Sequence, residues 1–154
     1  MPCEKLKKFL DENNVKYITI THSQAFTAQQ VAASAHIKGK DMAKTVIIKF
    51  SGKLAMVVLP ANKHVDFQLL REITGNENVS LAHETDFKDM FPDCEVGAMP
   101  PFGNLYGMEV YVSENLSKEK EIAFNAGNHA ELIQMAYADF EHMVNPKVLR
   151  FAPS

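Results

Sequence analysis

Two apolar runs meet across one tight turn, and no other feature of this chain restricts its fold so strongly. Residues 43–50 read A-K-T-V-I-I-K-F, residues 54–60 read L-A-M-V-V-L-P, and Ser51, Gly52 and Lys53 lie between them. Both runs are rich in β-branched residues, and a Ser-Gly pair between two such runs predicts a β-hairpin. Residues 54–59 are apolar at every position. Both faces of that strand must therefore be covered, which places it in the middle of a sheet. A period of two puts Lys44 on one face with Val46, Ile48 and Phe50, while Thr45 and Lys49 lie on the other, more polar face. A lysine at the head of a core-facing row has two readings. Its ammonium snorkels from the strand end into water, or a cavity opens there and the lysine lines it.

The remaining elements follow from local signals. Cys3, Leu6, Phe9 and Leu10 keep helical spacing and predict an amphipathic helix that ends near Asn13 and Asn14. Residues 15–21, V-K-Y-I-T-I-T, predict a strand. Thr27 and Gln30 stand at capping-box spacing with Phe26 and Val31 as a hydrophobic staple, so a helix is expected over 28–35. Asp66 caps a helix that carries Phe67, Leu70 and Ile73 and stops at Gly75. A short strand is expected over 79–82 and a short helix over 84–91, stopped by Pro92. Residues 107–113, 121–126 and 131–135 predict three more strands, and 137–144 a last helical turn or two. Most strands are expected to pair with sequence neighbours. The fold class is α+β, a mixed sheet that is curled or barrel-like with helices packed outside. At 154 residues and 46% hydrophobic content, one domain over 1–154 can bury a sizeable core.

Composition removes several functions. The formal charge of -3 gives no basic field for long duplexes, so no DNA partner is expected, although a small footprint on one end of a nucleic acid fits. No run approaches the length of a membrane span. The start, M-P-C-E-K-L-K-K-F-L, has no apolar signal core, so the expected location is cytoplasmic. Cys3 and Cys94 form no metal or redox motif and read as reduced thiols. None of the histidines makes an HxxxH or HExxH pair, and Gly-rich phosphate loops are absent, so neither metal nor cofactor is expected.

The least regular segment is E-V-G-A-M-P-P-F-G-N at 95–104. Gly97 and Gly103 permit positive φ or close approach of a ligand. Pro100 and Pro101 fix φ and remove two N–H donors. The amides of Gly97, Ala98, Met99, Phe102 and Gly103 can then be aimed at a ligand by a stiff loop, as in an oxyanion hole. Met99 and Phe102 would wall a small apolar pocket. The competing reading is a tight connector between a helix and a strand. His129, in the turn Gly127-Asn128-His129, either points into a site or is solvated. His22 closes the first strand and can reach the mouth at Lys44, or is an ordinary surface histidine.

Taken in order, A-K-T-V-I-I-K (43–49), G-K-L-A-M-V-V-L-P (52–60) with V-D-F-Q-L-L-R-E-I-T-G (65–75), and G-A-M-P-P-F-G (97–103) resemble the YbaK/prolyl-tRNA synthetase-associated domain family of trans-editing aminoacyl-tRNA deacylases. The resemblance runs over nearly the whole chain, with Gly97 and Pro101 at the family's G-x-x-x-P positions. It implies a mixed α/β barrel-like fold and hydrolysis of the ester that joins a wrong small amino acid, such as Ala, Ser or Cys, to tRNA. In the family the lysine at the position of Lys44 is required for activity, and the G-x-x-x-P loop holds the 3′-terminal adenosine and aminoacyl group through backbone contacts. The resemblance therefore implies Lys44 as catalytic. It implies Gly97, Ala98, Met99, Pro101, Phe102 and Gly103 as substrate-binding, together with His22, Thr45 and His129. The implied partner is the acceptor end of an aminoacyl-tRNA, with an aminoacyl-tRNA synthetase as a second candidate. Residues 124–135, F-N-A-G-N-H-A-E-L-I-Q-M, match no subfamily of known specificity, which leaves the amino acid open. The alternative is a non-catalytic module of the same fold that binds an aminoacyl or nucleotide ligand.

Overall fold

A computed structural model describes residues 4–22, 27–92, 94–95 and 97–153. Helix α1 (Glu4–Glu12) buries Leu6 and Leu10 against the core, as its spacing requires. Helix α2 (Ala28–Ser34) starts at a complete capping box: Thr27 Oγ1 accepts from the Gln30 amide at 3.1 Å, and Gln30 Oε1 accepts from the Thr27 amide at 3.2 Å. The expected staple residue Phe26 lies outside the described residues, as does Cys3. Helix α3 (Phe67–Thr74) is capped by Asp66 and ends at Gly75 in the left-handed region. The expected helix over 84–91 is a single turn, α4 (Glu84–Phe87), followed by a 3-10 turn at Lys88–Met90.

The hairpin is present in full. Strands β2 (Ala43–Phe50) and β3 (Lys53–Pro60) pair antiparallel from Ala43 opposite Pro60 to Phe50 opposite Lys53. Ser51 and Gly52 take φ of 52° and 81°, the sign that matches a primed turn to strand twist. The hairpin belongs to a five-stranded sheet, in the order β4 (Val79–Leu81), β2, β3, β5 (Glu109–Ser113), β8 (Lys147–Leu149). There β5 runs parallel to both β3 and β8. β3 is central, as its apolar faces demand. A second, antiparallel sheet has the order β1 (Tyr17–Thr21), β7 (Glu131–Ala136), β6 (Glu121–Asn125).

The α+β class with a mixed sheet holds, and two details differ from expectation. The strands do not close into a barrel: they form two sheets that touch at a parallel bridge between Met42 and Ala123. Nor do most strands pair with sequence neighbours. Of the six ladders among the described residues, two join consecutive strands, β2 with β3 and β6 with β7. The cause is β3. Its second edge needs a partner, and the strand that fills it, β5, comes after α3, β4 and the Gly/Pro loop.

Three apolar clusters fill the layers. The largest lies between the sheets and includes Met56, Val58, Phe102, Phe124, Ile133 and Phe140. Ile48, Leu59, Leu70, Tyr111 and Phe151 form the layer that includes α3. Val31, Met42, Ala61, Ala123 and Leu132 form the layer that includes α2. Short helices α5 (Glu114–Ser117) and α6 (Tyr137–Val144) complete the chain, each burying residues in the central cluster.

Candidate active site

The two sheets meet at one parallel bridge and then part. At the bridge β2 and β6 run side by side, and the Ala123 amide donates to the Asp41 carbonyl at 2.9 Å. Further along, β2 gives its edge to β4: Ile48 pairs with Leu81, and the Ala82 amide donates to the Ile47 carbonyl at 3.1 Å. Just beyond the end of β6, the chain pairs with the Gly/Pro loop instead. The Gly127 amide donates to the Ala98 carbonyl at 3.0 Å, and the Glu95 amide to the Gly127 carbonyl at 2.7 Å. Lys44 stands two residues past the bridge on β2, and Asn125 two residues past it on β6. The period of two puts both on the side of Met42 and Ala123.

Lys44 is half-buried. Burial pulls its ammonium below the ordinary 10.5, and no charged neighbour contributes to the shift. It heads the row of Val46, Ile48 and Phe50, which packs in the layer that includes α3. Thr45 lies on the opposite face with Ala43 and Ile47, which belong to the central cluster. The strand thus separates Thr45 from Lys44.

The Gly/Pro loop divides into an open end and a sealed end. Gly97 is exposed and has φ of 86°. A Cβ built there would stand 3.5 Å from His129 Cε1, so loop and turn face each other across a narrow space. The Gly97 amide meets Met99 Sδ at 3.2 Å, a weak acceptor, whereas the Ala98 amide is committed to the Glu95 carbonyl at 3.0 Å. Past Ala98 the loop is core. Pro100 and Pro101 are buried, and Met99 packs in the central cluster. Phe102 is completely buried, with its ring 6.3 Å from Phe9, 5.4 Å from Phe124 and 5.3 Å from Phe140. Its side chain anchors the loop and does not wall a pocket. Gly103 has no positive φ. A Cβ on it would fall 2.8 Å from Val110 Cγ2 and 3.1 Å from the Met108 carbonyl, so its close approach is to β5 rather than to a ligand.

His129 is buried, which overturns the solvated-turn reading. Its Nε2 lies 4.0 Å from Glu95 Oε2. The His22 amide donates to the Ala130 carbonyl at 3.0 Å, which sets His22 beside the same turn. Gly97, His22 and His129 therefore gather about one turn, while Lys44 lies on β2, two residues past the bridge to β6. The open cleft between Phe50, Leu54, Met90 and Met108 lies at the far end of β2 and includes none of them. Among the described residues no group of three or more metal-ligating side chains is assembled.

Residues 22–143 match the family model of the aminoacyl-tRNA editing domain. The chain belongs to that family. This editing domain is 26% identical to the multifunctional Ser/Thr-tRNA deacylase ProXp-y of Escherichia coli strain K12, over 96% of this chain and 91% of the relative. The same-named protein of Escherichia coli O157:H7 matches equally. Among solved structures, the hypothetical protein APE2540 superposes with a TM-score of 0.85 at 19% identity, covering 97% of this chain and 99% of that one. A proposed trans-editing enzyme for prolyl-tRNA synthetase superposes with a TM-score of 0.81 at 14% identity, covering 97% and 96%. These likenesses establish the same fold for the editing domain, and Lys44, Gly97, Asn125 and His129 all fall within the matched residues.

Proposed function

We propose that this editing domain hydrolyses, in trans, the ester bond of tRNA mischarged with a small amino acid. What supports the reading is the half-buried ammonium of Lys44 on β2, the strand that touches β6, together with the exposed Gly97, which faces His129 in the turn after β6. An aminoacyl ester has an activated carbonyl, so no strong nucleophile is needed. Water adds to the ester carbon, and the carbonyl electron pair moves to oxygen. Lys44 and the Gly97 amide offset that developing charge. The C–O bond to the ribose then breaks, the ribose oxygen takes a proton, and free amino acid and tRNA leave. The neighbouring ribose hydroxyl of the substrate helps to place the water.

The substrate set is alanine, serine and cysteine, widened to threonine by the relative named for Ser/Thr-tRNA. One methylene separates amino acids by only ~1–3 kcal/mol in a synthetase pocket, so such errors need a second, hydrolytic site. The test is a deacylation panel of tRNAs charged with Ala, Ser, Thr, Cys and Pro. Cleavage of at least one small aminoacyl ester supports the reading. Binding without cleavage of any member leaves a ligand-binding module in its place.

Two further outcomes follow. Activity is expected to survive exhaustive EDTA, because the chemistry above uses only protein groups. Loss on chelation that zinc restores would contradict it. Contact with tRNA is expected to be local to the acceptor end and to begin at Lys38 and Lys40. Lys38 is exposed, while Lys40 Nζ lies 3.5 Å from Glu119 Oε1. Neutralising both should raise KM and flatten its salt dependence while kcat changes little, with Lys38 the larger contributor. A drop in kcat with unchanged KM would reverse this division of labour. The place of action is the cytoplasm, where charged tRNA is made, with a synthetase as a candidate partner. No described helix is long and apolar enough to cross a membrane.

A further inference from the structure

The hairpin carries a basic loop on each strand at its Lys44 end. β2 and β3 pair as far as Ala43 opposite Pro60, with Lys44 opposite Leu59. Before β2 the chain reads H-I-K-G-K at 36–40, and after β3 it reads A-N-K-H-V at 61–65. Neither segment holds an acid. The two loops pack together. The Ala61 amide donates to the Met42 carbonyl at 2.7 Å, and a Cβ built on Gly39 would stand 3.2 Å from Asn62 Cβ. Lys38 and Lys63 adjoin Gly39 and Asn62, so chain geometry keeps their Cα atoms within about 14 Å of each other. Both backbones are tied down. The Met42 amide donates to the Lys38 carbonyl at 3.1 Å, and the Lys63 amide to the Pro60 carbonyl at 3.0 Å. Lys38 is exposed and Lys63 half-buried. Among the described residues neither forms an ion pair, whereas Lys40 is held by Glu119.

We infer that Lys63, from the second loop, joins Lys38 in gripping the phosphate backbone of tRNA just upstream of its 3′-terminal adenosine. The choice of occupant rests on the deacylase reading above. A chain of net charge -3 holds a polyanion where positive charge is concentrated locally and acids are engaged elsewhere. Asp66, the first acid after the second loop, already accepts from the Leu69 amide at 3.0 Å. An ester at Lys44 leads its phosphates away along one strand of RNA, and the two loops lie directly past Lys44 on the hairpin. Such contacts supply affinity and salt dependence without reading sequence.

Binding of uncharged tRNA, measured as Kd between about 50 and 200 mM salt, tests the surface apart from catalysis. Lys63→Gln and Lys38→Gln should each weaken binding most at low salt. Each should lower the slope of log Kd against log salt by about 0.7, the share of one single-strand phosphate. In deacylation Lys63→Gln should raise KM while kcat changes little. Lys53→Gln is the control, because Lys53 is exposed at the opposite end of the hairpin and its loss changes net charge equally. It should keep the wild-type slope and Tm. A Lys63→Gln protein with the wild-type slope overturns the inference, even where the aminoacyl-tRNA panel is cleaved. So does an equal loss in Lys53→Gln, since net charge would then be the cause. A lowered Tm in Lys63→Gln with a normal slope in Lys38→Gln also overturns it. A wild-type protein that binds tRNA through Lys63 but cleaves no member of the panel overturns the deacylase reading and leaves the surface standing.

Discussion

Lys44→Ala is expected to lower kcat/KM for the edited aminoacyl-tRNA on the order of 10³-fold and to leave the fold intact. One preorganised donor at an oxyanion accounts for ~2.7–4 kcal/mol, and a full positive charge in a half-buried gap belongs at or above the upper end. Stability responds differently. Burial disfavours the charged form of Lys44, so its folded pKa lies below 10.5. Between that value and 10.5 the native state has shed a proton that the unfolded chain still holds. Stability therefore rises with pH through that window and is lowest, for this group, at neutral pH. Removing the ammonium should accordingly leave Tm unchanged or slightly raised. Activity has the opposite dependence. After correction for spontaneous ester hydrolysis, the wild-type rate should fall as pH rises through the depressed pKa. In Lys44→Arg that limb should vanish, because a guanidinium keeps its proton. A folded Lys44→Ala protein with full activity would remove the lysine from the mechanism.

Gly97→Ala is expected to show a loss on two separate readouts. At φ of 86° any side chain is strained, which lowers stability by about 1 kcal/mol. The added methyl would also occupy the space toward His129, 3.5 Å from Cε1. On the reading proposed above, the substrate reaches the Gly97 amide through that space. Misplacing the ester by ~1 Å lowers the rate on the order of a hundredfold. Gly75→Ala is the control. It imposes similar backbone strain at φ of 67°, with nothing within 4 Å of the new methyl and no place in the gap. Both variants should lose similar Tm, and Gly97→Ala alone should lose kcat/KM. Normal deacylation by Gly97→Ala would reduce the loop to a connector.

The positions that answer to these tests were unequally visible beforehand. Lys44 was legible as an anomaly because a period of two is a local rule, and it set a lysine at the head of an apolar row. Gly97 and Gly103 were equally legible as glycines but not as different ones. Gly97 takes positive φ beside His129, while Gly103 gives way to Val110 on a strand seven residues later. Phe102 looked like a pocket wall because sequence shows an apolar ring but not what surrounds it. Its partners Phe9, Phe124 and Phe140 come from three remote segments.

What the sequence determined by itself was everything set by residues within a few positions of one another. The hairpin at Ser51-Gly52, the capping box at Thr27, the cap at Asp66 and the stop at Gly75 all formed as their local chemistry required. The ordered family motifs likewise identified the editing domain. Tertiary structure alone decided that β3 would take β5 as its parallel partner, that the strands would split into two sheets, and that β2 and β6 would touch once and then diverge. Those outcomes depend on which apolar faces, far apart in the chain, can be covered together. No local signal encodes that choice, because its energy comes from burial shared among segments that meet only in the folded state.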